Sequence, residues 1–112
     1  MAARDTHARA RSAERVQAIE AALRHGLQPL HLAIEDDSAR HAGHAGAAGG
    51  GGHFRVLIVS AAFRGQSQLA RQRAVYALLA DAMRSSIHAL ALRTLTPEEW
   101  DARNDRERGS RG

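Results

Sequence analysis

The chain has 112 residues, contains no cysteine, and carries sixteen basic residues, all of them arginine. This length suits one small domain with one core. The absence of cysteine excludes disulfides and thiolate metal ligands from this chain. No apolar run is long enough to span a membrane, and the N-terminus lacks the apolar region of a signal peptide, so we expect a soluble cytoplasmic protein. A net charge of +4 favours contact with polyanions without defining a site.

The first part of the chain predicts a helix followed by a strand. Residues 1–11 show no apolar periodicity and are expected to form a disordered tail. Ser12 can cap a helix that Gly26 ends and Pro29 prevents from continuing. Its apolar positions recur at helical spacing: Val16, Ile19, Leu23 and Leu27. LHLAIED, residues 30–36, alternates apolar and other residues and predicts a half-buried strand.

The second part predicts two more strands and two helices. HFRVLIVSAAF, residues 53–63, is nearly all apolar from Phe54 to Val59, as in a central strand, and follows a glycine-rich loop at 39–52. Ser67 can cap a helix with an apolar stripe that reaches Met83. SSIHALALRT, residues 85–94, predicts a third strand. TPEEW, residues 96–100, has the pattern of a capping box and predicts a short helix before a disordered tail at 103–112.

The order of these elements defines the expected architecture of a single domain at residues 12–102. The first two strands pair antiparallel through the loop, and the second and third, joined through a helix, run parallel with a right-handed crossover. We therefore predict an α+β fold, α-β-β-α-β, with a three-stranded mixed sheet and its helices on one face.

This topology bears on four histidines that are distant in sequence. His53 and His88 begin the second and third strands, whose starts lie at the same end of the sheet when the strands are parallel. The loop that carries His41 and His44 returns to that end. Converging imidazoles can bind a transition metal, whereas loop histidines are also common surface residues and His88 can be a hydrogen-bonded residue at the core edge. Both interpretations remain open from the residues alone.

Several motifs resemble the BolA family over residues 12–101. They are Phe63-x-Gly65-x-Ser67, the pair Arg71 and Arg73, the strand IHAL and the ending TPEEW. The resemblance implies a fold related to the type II KH domain. It also implies a non-enzymatic protein that shares a two-iron two-sulfur cluster with a monothiol glutaredoxin and acts in iron–sulfur trafficking and in iron and stress regulation.

The resemblance also implies the ligands of that cluster. The histidine of the third strand matches His88 and the loop histidine best matches His41, with His53 and His44 as alternates. The glutaredoxin would supply its active-site cysteine and a glutathione, which agrees with the lack of thiols in this chain. Gln72 stands where the family usually has a histidine between the two arginines, so no role carries over to that position. Alone, the protein is expected to be a monomer or a weak homodimer.

The alternative implied by the resemblance is a bacterial transcriptional regulator of morphology and stress genes that binds double-stranded DNA. Arg64, Arg71 and Arg73 are the candidate contacts, since they flank a turn and a helix N-terminus. Arg71 and Arg73 are about 200° apart around a helix, so both cannot face one groove. Ion pairing or partner docking explains the same arginines equally well.

Overall fold

Four helices and three strands make up the described part of the chain, which in this computed structural model comprises residues 2–37, 52–85 and 87–111. Side chains are described for residues 13–37, 53–84, 87 and 89–106. In chain order the elements are α1 (Ala2–Leu27), β1 (His31–Asp36), β2 (Gly52–Val59), α2 (Gln68–Leu78), α3 (Ala80–Ser85), β3 (Ile87–Leu95) and α4 (Pro97–Arg111). A single 3-10 turn, Ala61–Phe63, follows β2.

The three strands form one mixed sheet in the order β1-β2-β3. β1 is antiparallel to β2, and β2 is parallel to β3. The chain between β2 and β3 contains α2 and α3, and this long connection returns it to the same end of the sheet. The predicted α+β class and the predicted strand directions are confirmed.

The hydrophobic core lies on one face of the sheet. Every second residue of β2 points into it, and Phe54, Val56 and Ile58 are all buried. The helices, the 3-10 turn and β3 complete this cluster with Ile19, Leu23, Leu27, Phe63, Val75, Leu79 and Ile87. Burial of each large aliphatic or aromatic side chain contributes roughly 1.5–3 kcal/mol, so this cluster is the main source of stability.

The opposite face of the sheet is largely open among the described residues. Its exposed residues come from all three strands: Ala33, Glu35, Arg55, Ala91 and Arg93. One end of this face is covered by α4, because the Trp100 ring lies 5.2 Å from the His31 ring. Val59, the β2 residue that is paired with His31, is fully buried although it does not belong to the core cluster.

Both terminal helices are longer than the sequence pattern predicts. α1 begins at Ala2 and passes through the expected cap Ser12, and α4 continues to Arg111 through residues expected to be irregular. Residues 2–11 are mainly alanine and arginine, which have high helix propensity, and neither terminal stretch contains a proline beyond Pro97. Helix formation there needs no apolar stripe. The limits of the domain itself, 12–102, stay a prediction.

The helix ends also differ in detail from the prediction. Gly26 lies inside α1, and the left-handed residue that follows the helix is Gln28, with φ of 45°. A Cβ at Gly26 would lie 2.5 Å from a methyl carbon of Leu78, so glycine allows α1 and α2 to approach closely. Leu79 separates α2 from α3, so the predicted single helix is two.

None of the described helices combines the length and apolar character that a membrane span requires.

Candidate metal centre and arginine cluster

The end of β1 and the starts of β2 and β3 meet at one end of the sheet. The Asp37 backbone N–H donates a hydrogen bond to the His53 carbonyl oxygen over 2.7 Å, and His53 is paired with Ala89 of β3. The connection of residues 38–51 therefore leaves the sheet and returns to it at nearly the same point.

A β-bulge interrupts the β2–β3 pairing at this end. Gly52 is paired with Ile87 but His53 with Ala89, so His88 is the extra residue of β3. The bulge explains why Ile87 and Leu90 both contact the core although they are three positions apart, which simple alternation does not permit. Bulges are frequent beside functional sites, where they redirect a side chain.

The structure brings some of the predicted histidine positions together. His53 and His88 lie near the starts of neighbouring strands, as predicted, and His53 is paired with Ala89, the residue that follows His88. Neighbouring strands are about 4.8 Å apart. His41 and His44 lie outside the described residues.

The surroundings of His53 are polar on one side and apolar on the other. His53 is half-buried at a shallow depression of about 250 Å³. Asp37, whose side chain is only 16% exposed, lines the same depression and lies 3.4 Å from the Arg55 guanidinium, which also contacts Glu35 at 3.8 Å. The sequence analysis did not identify Asp37, although an acidic residue directly after a strand that ends at the site was available as a signal.

The chemistry of the available donors decides which metal group fits. Within residues 2–37, 52–85 and 87–111, no group of three or more histidine, aspartate or glutamate side chains is arranged to hold a metal ion. The chain also has no thiol. Iron–sulfur clusters need thiolates, with histidines able to replace two of them on one iron. An iron–sulfur cluster at this end of the sheet would therefore need its thiolates from a partner.

The predicted arginines occupy three different environments. Arg71 is buried, with 6% of its surface exposed, and its guanidinium donates to the Gln66 carbonyl (3.0 Å) and the Thr94 carbonyl (3.1 Å). It also binds Glu99 Oε1 at 2.7 Å and lies 5.8 Å from the centre of the Phe63 ring. Arg71 thus ties the turn before α2 to the end of β3 and the start of α4, which leaves it little surface for a phosphate group.

Glu99 also caps the start of α4. Its carboxylate accepts a hydrogen bond from the Thr96 backbone N–H (2.7 Å), and the Thr96 hydroxyl accepts one from the Glu99 N–H (3.1 Å). This is the predicted capping box. The hydrogen bond from Arg71, followed by that from Thr96, lowers the pKa of Glu99 below its ordinary value because both favour the ionised carboxylate.

The other two candidate arginines are exposed. Arg64 forms a two-point ion pair with Glu98, at 2.9 and 2.5 Å, which raises the pKa of Arg64 and lowers that of Glu98. Arg73 lies on the outer face of α2, opposite Arg71, as the helical spacing predicts.

The residues of the Phe63-x-Gly65-x-Ser67 motif have structural roles in the turn before α2. Phe63 is fully buried, and Gly65 has φ of +74°, a conformation that other residues adopt at a cost. The Ser67 hydroxyl caps α2 by accepting from the Ala70 N–H over 3.1 Å. The motif therefore sets the geometry that brings Arg71 to Thr94.

These observations define a small α+β protein with a three-stranded mixed sheet, with α1, α2 and α3 packed on one face, α4 at one end of the other face, and histidine positions at one sheet end. A family model described as BolA-like protein matches residues 23–99. The DNA-binding transcriptional regulator BolA of Haemophilus influenzae is 42% identical over 89 residues, covering 80% of this chain and 84% of that protein. BolA-like protein 1 of Mus musculus is 41% identical over 83 residues, covering 74% of this chain and 58% of that protein.

Solved structures give the same result at the level of the fold. A Bol-like protein from Babesia bovis superposes with a TM-score of 0.66 at 38% identity, covering 79% of this chain and 91% of that structure. The chain belongs to the BolA-like family, as its sequence motifs predict.

Proposed function

We propose that this protein is a non-enzymatic cytoplasmic partner that binds a two-iron two-sulfur cluster together with a monothiol glutaredoxin. In this role it serves iron–sulfur trafficking and the regulation of iron and stress responses. His88 and His41 are the proposed ligands, with His53 and His44 as alternates. The partner supplies the thiolates, one from its active-site cysteine and one from glutathione. The observation that supports the proposal is the parallel pairing of β2 and β3, which sets positions 53 and 88 on adjacent strands.

A further feature supports a shared site at this end of the sheet. The bulge at His88 marks a position where the strand departs from regular pairing, as strands often do beside a site. If the cluster is bound, neutral imidazoles of this chain would hold its iron. The role of this chain is to present those imidazoles and leave the remaining positions to the partner.

The test is visible absorption of the cluster reconstituted with the protein, a monothiol glutaredoxin and glutathione. We expect His88→Ala to abolish or strongly shift the absorption that the wild-type mixture shows beyond the glutaredoxin alone. His25→Ala is the matched control, because His25 is an exposed histidine in the last turn of α1, which leads into the opposite end of β1 from Asp37. An unchanged spectrum with His88→Ala refutes the ligand assignment. Substituting His41, His44 and His53 one at a time then identifies the second ligand.

A second candidate function is DNA binding in transcriptional regulation, which the name of the Haemophilus influenzae relative suggests. The exposed position of Arg73 on α2 favours it, together with the positive net charge. The burial of Arg71 and the pairing of Arg64 with Glu98 reduce the number of arginines that can contact phosphates freely.

The test of this second candidate is competition between promoter fragments and random DNA at physiological salt. Specific binding persists in excess random DNA and weakens with Arg73→Gln. Binding that falls steeply with salt and shows no sequence preference reflects charge attraction alone and rejects the regulatory proposal.

A further inference from the structure

The open face of the sheet carries a continuous trough. Its middle part, about 400 Å³ in volume, has a floor of small or apolar side chains from each strand: Ala33, Leu57 and Ala91. Arg55 and Ala91 also line the depression at His53. Arg93 also lines a cleft of about 660 Å³ between β3 and α4. The trough therefore runs without a break from the candidate metal centre to α4.

The trough exists because small residues face outward where a covered sheet would carry large ones. The three helices α1, α2 and α3 pack on the other face, and on this face Trp100 of α4 covers only the end at His31. Concave surfaces with an apolar floor and a few polar groups are typical binding surfaces of proteins. The form of this surface fits a segment of another protein that lies along the strands.

The charged side chains that line the trough differ in whether they form an ion pair. The acidic side chains that line it all contact arginines: Glu35 and Asp37 pair with Arg55, Glu98 with Arg64, and Glu99 with Arg71. Arg93 is exposed where the middle part meets the α4 cleft, and no described residue forms an ion pair with it. An entering carboxylate would therefore meet a guanidinium without displacing an existing partner within the described chain. Arginine is well suited to bind a carboxylate at two points.

We infer that this trough is the docking surface for the protein that supplies the cluster thiolates, and that Arg93 binds a carboxylate of that partner. The inference rests on the proposed function, because the trough is continuous with the depression at His53. A protein fits better than nucleic acid, since the floor is apolar and the lining carries both acidic and basic side chains instead of a uniformly basic surface. Docking on this face would place the partner directly beside the sheet end that carries positions 53 and 88.

The experiment measures the affinity of the iron-free protein for a monothiol glutaredoxin with glutathione, by titration calorimetry. We expect Arg93→Glu to weaken binding at least about tenfold at low salt, with a smaller difference at high salt because the contact is electrostatic. Ala91→Trp, which fills the floor without changing charge, should weaken binding to a similar extent. Arg84→Glu is the control, because Arg84 is an exposed arginine on α3 outside the trough, and its affinity should match the wild type. Circular dichroism verifies that each variant is folded.

The outcomes separate this inference from the proposed function. If Arg93→Glu and Ala91→Trp bind as tightly as the wild type while the cluster still depends on His88, the docking surface is wrong and the function stands. If His88→Ala abolishes the cluster but leaves iron-free binding intact, and the two trough variants lose binding, both hold. A wild-type protein that does not bind iron-free glutaredoxin overturns the inference, and the proposed function falls with it only if the reconstituted mixture also lacks the additional cluster absorption. If Arg93→Glu weakens binding to DNA but not to glutaredoxin, Arg93 is assigned to nucleic acid and the inference is overturned.

Discussion

Replacing Arg71 by alanine tests whether this arginine is a structural centre of the fold. The substitution leaves the carbonyl groups of Gln66 and Thr94 without the donor that now satisfies them, at 3.0 and 3.1 Å. It also removes the contact with the Phe63 ring and the ion pair with Glu99. Two segments of the chain that are about 30 positions apart, 63–66 and 94–99, then lose their common partner.

The size of the effect follows from these contacts. Leaving the buried Thr94 carbonyl unsatisfied costs about 1 kcal/mol, and losing the donor to the more exposed Gln66 carbonyl, which water can reach, costs about 0.5 kcal/mol. The lost packing and cation–π contact cost about 1 kcal/mol more. The ion pair adds only about 0.5 kcal/mol, since the Glu99 side chain is 44% exposed and solvent screens the pair. We expect a total loss of about 3 kcal/mol, which for a domain of this size lowers Tm by about 12 °C.

Thermal unfolding followed by circular dichroism measures this loss. Arg73→Ala is the matched control, as it removes an exposed arginine two positions along the same helix, and its Tm should fall by no more than about 2 °C. Arg71→Met keeps the aliphatic stem and should lose less than Arg71→Ala. Equal Tm values for Arg71→Ala and Arg73→Ala would refute the structural role of the buried guanidinium.

Two further predictions concern stability. The pKa of Glu99 in the folded chain lies below its ordinary value of 4.5. Its contribution is therefore present above about pH 4.5 and lost as the pH falls through the lower folded pKa. Glu99→Gln should reduce the fall in Tm as the pH is lowered through and below about 4.5, and identical Tm–pH profiles for the variant and the wild type contradict the assignment. Gln28→Gly should raise the free energy of unfolding by about 0.5 kcal/mol in urea titrations, because φ of 45° is strained for glutamine. Gln17→Gly, inside α1, should lower it by about 1 kcal/mol, and the same sign for both would argue against strain at Gln28.

The strand directions could be predicted from the sequence because they depend on local features. A helix between HFRVLIV and HALALRT requires a parallel pair, and the short apolar strands leave few alternative arrangements. The lengths of α1 and α4 could not be predicted from apolar periodicity, since their outer turns carry none. The burial of Arg71 also escaped sequence reasoning. It depends on Thr94 and Glu99, which lie 23 and 28 positions away, and arginine is exposed in most contexts.

The location of the candidate site could likewise be predicted from the sequence, whereas its detailed geometry could not. Its location at the sheet end follows from topology, and the described backbone agrees with that expectation at positions 53 and 88. The bulge that makes His88 an extra residue could not be predicted, because it depends on the register between two strands whose paired residues lie 35 or 36 positions apart in the chain. Asp37 and Arg55 were missed for a related reason, since their ion pair joins β2 to the residue after β1.

The hydrogen bond from the Asp37 N–H to the His53 carbonyl has a consequence for how this protein can vary. It joins the residues on either side of 38–51 through backbone atoms alone. Changing the content of that connection leaves this contact intact, and doubling its length costs only about 0.6 kcal/mol. The sequence and the length of this connection can therefore change while the pairing of β1 with β2 is retained.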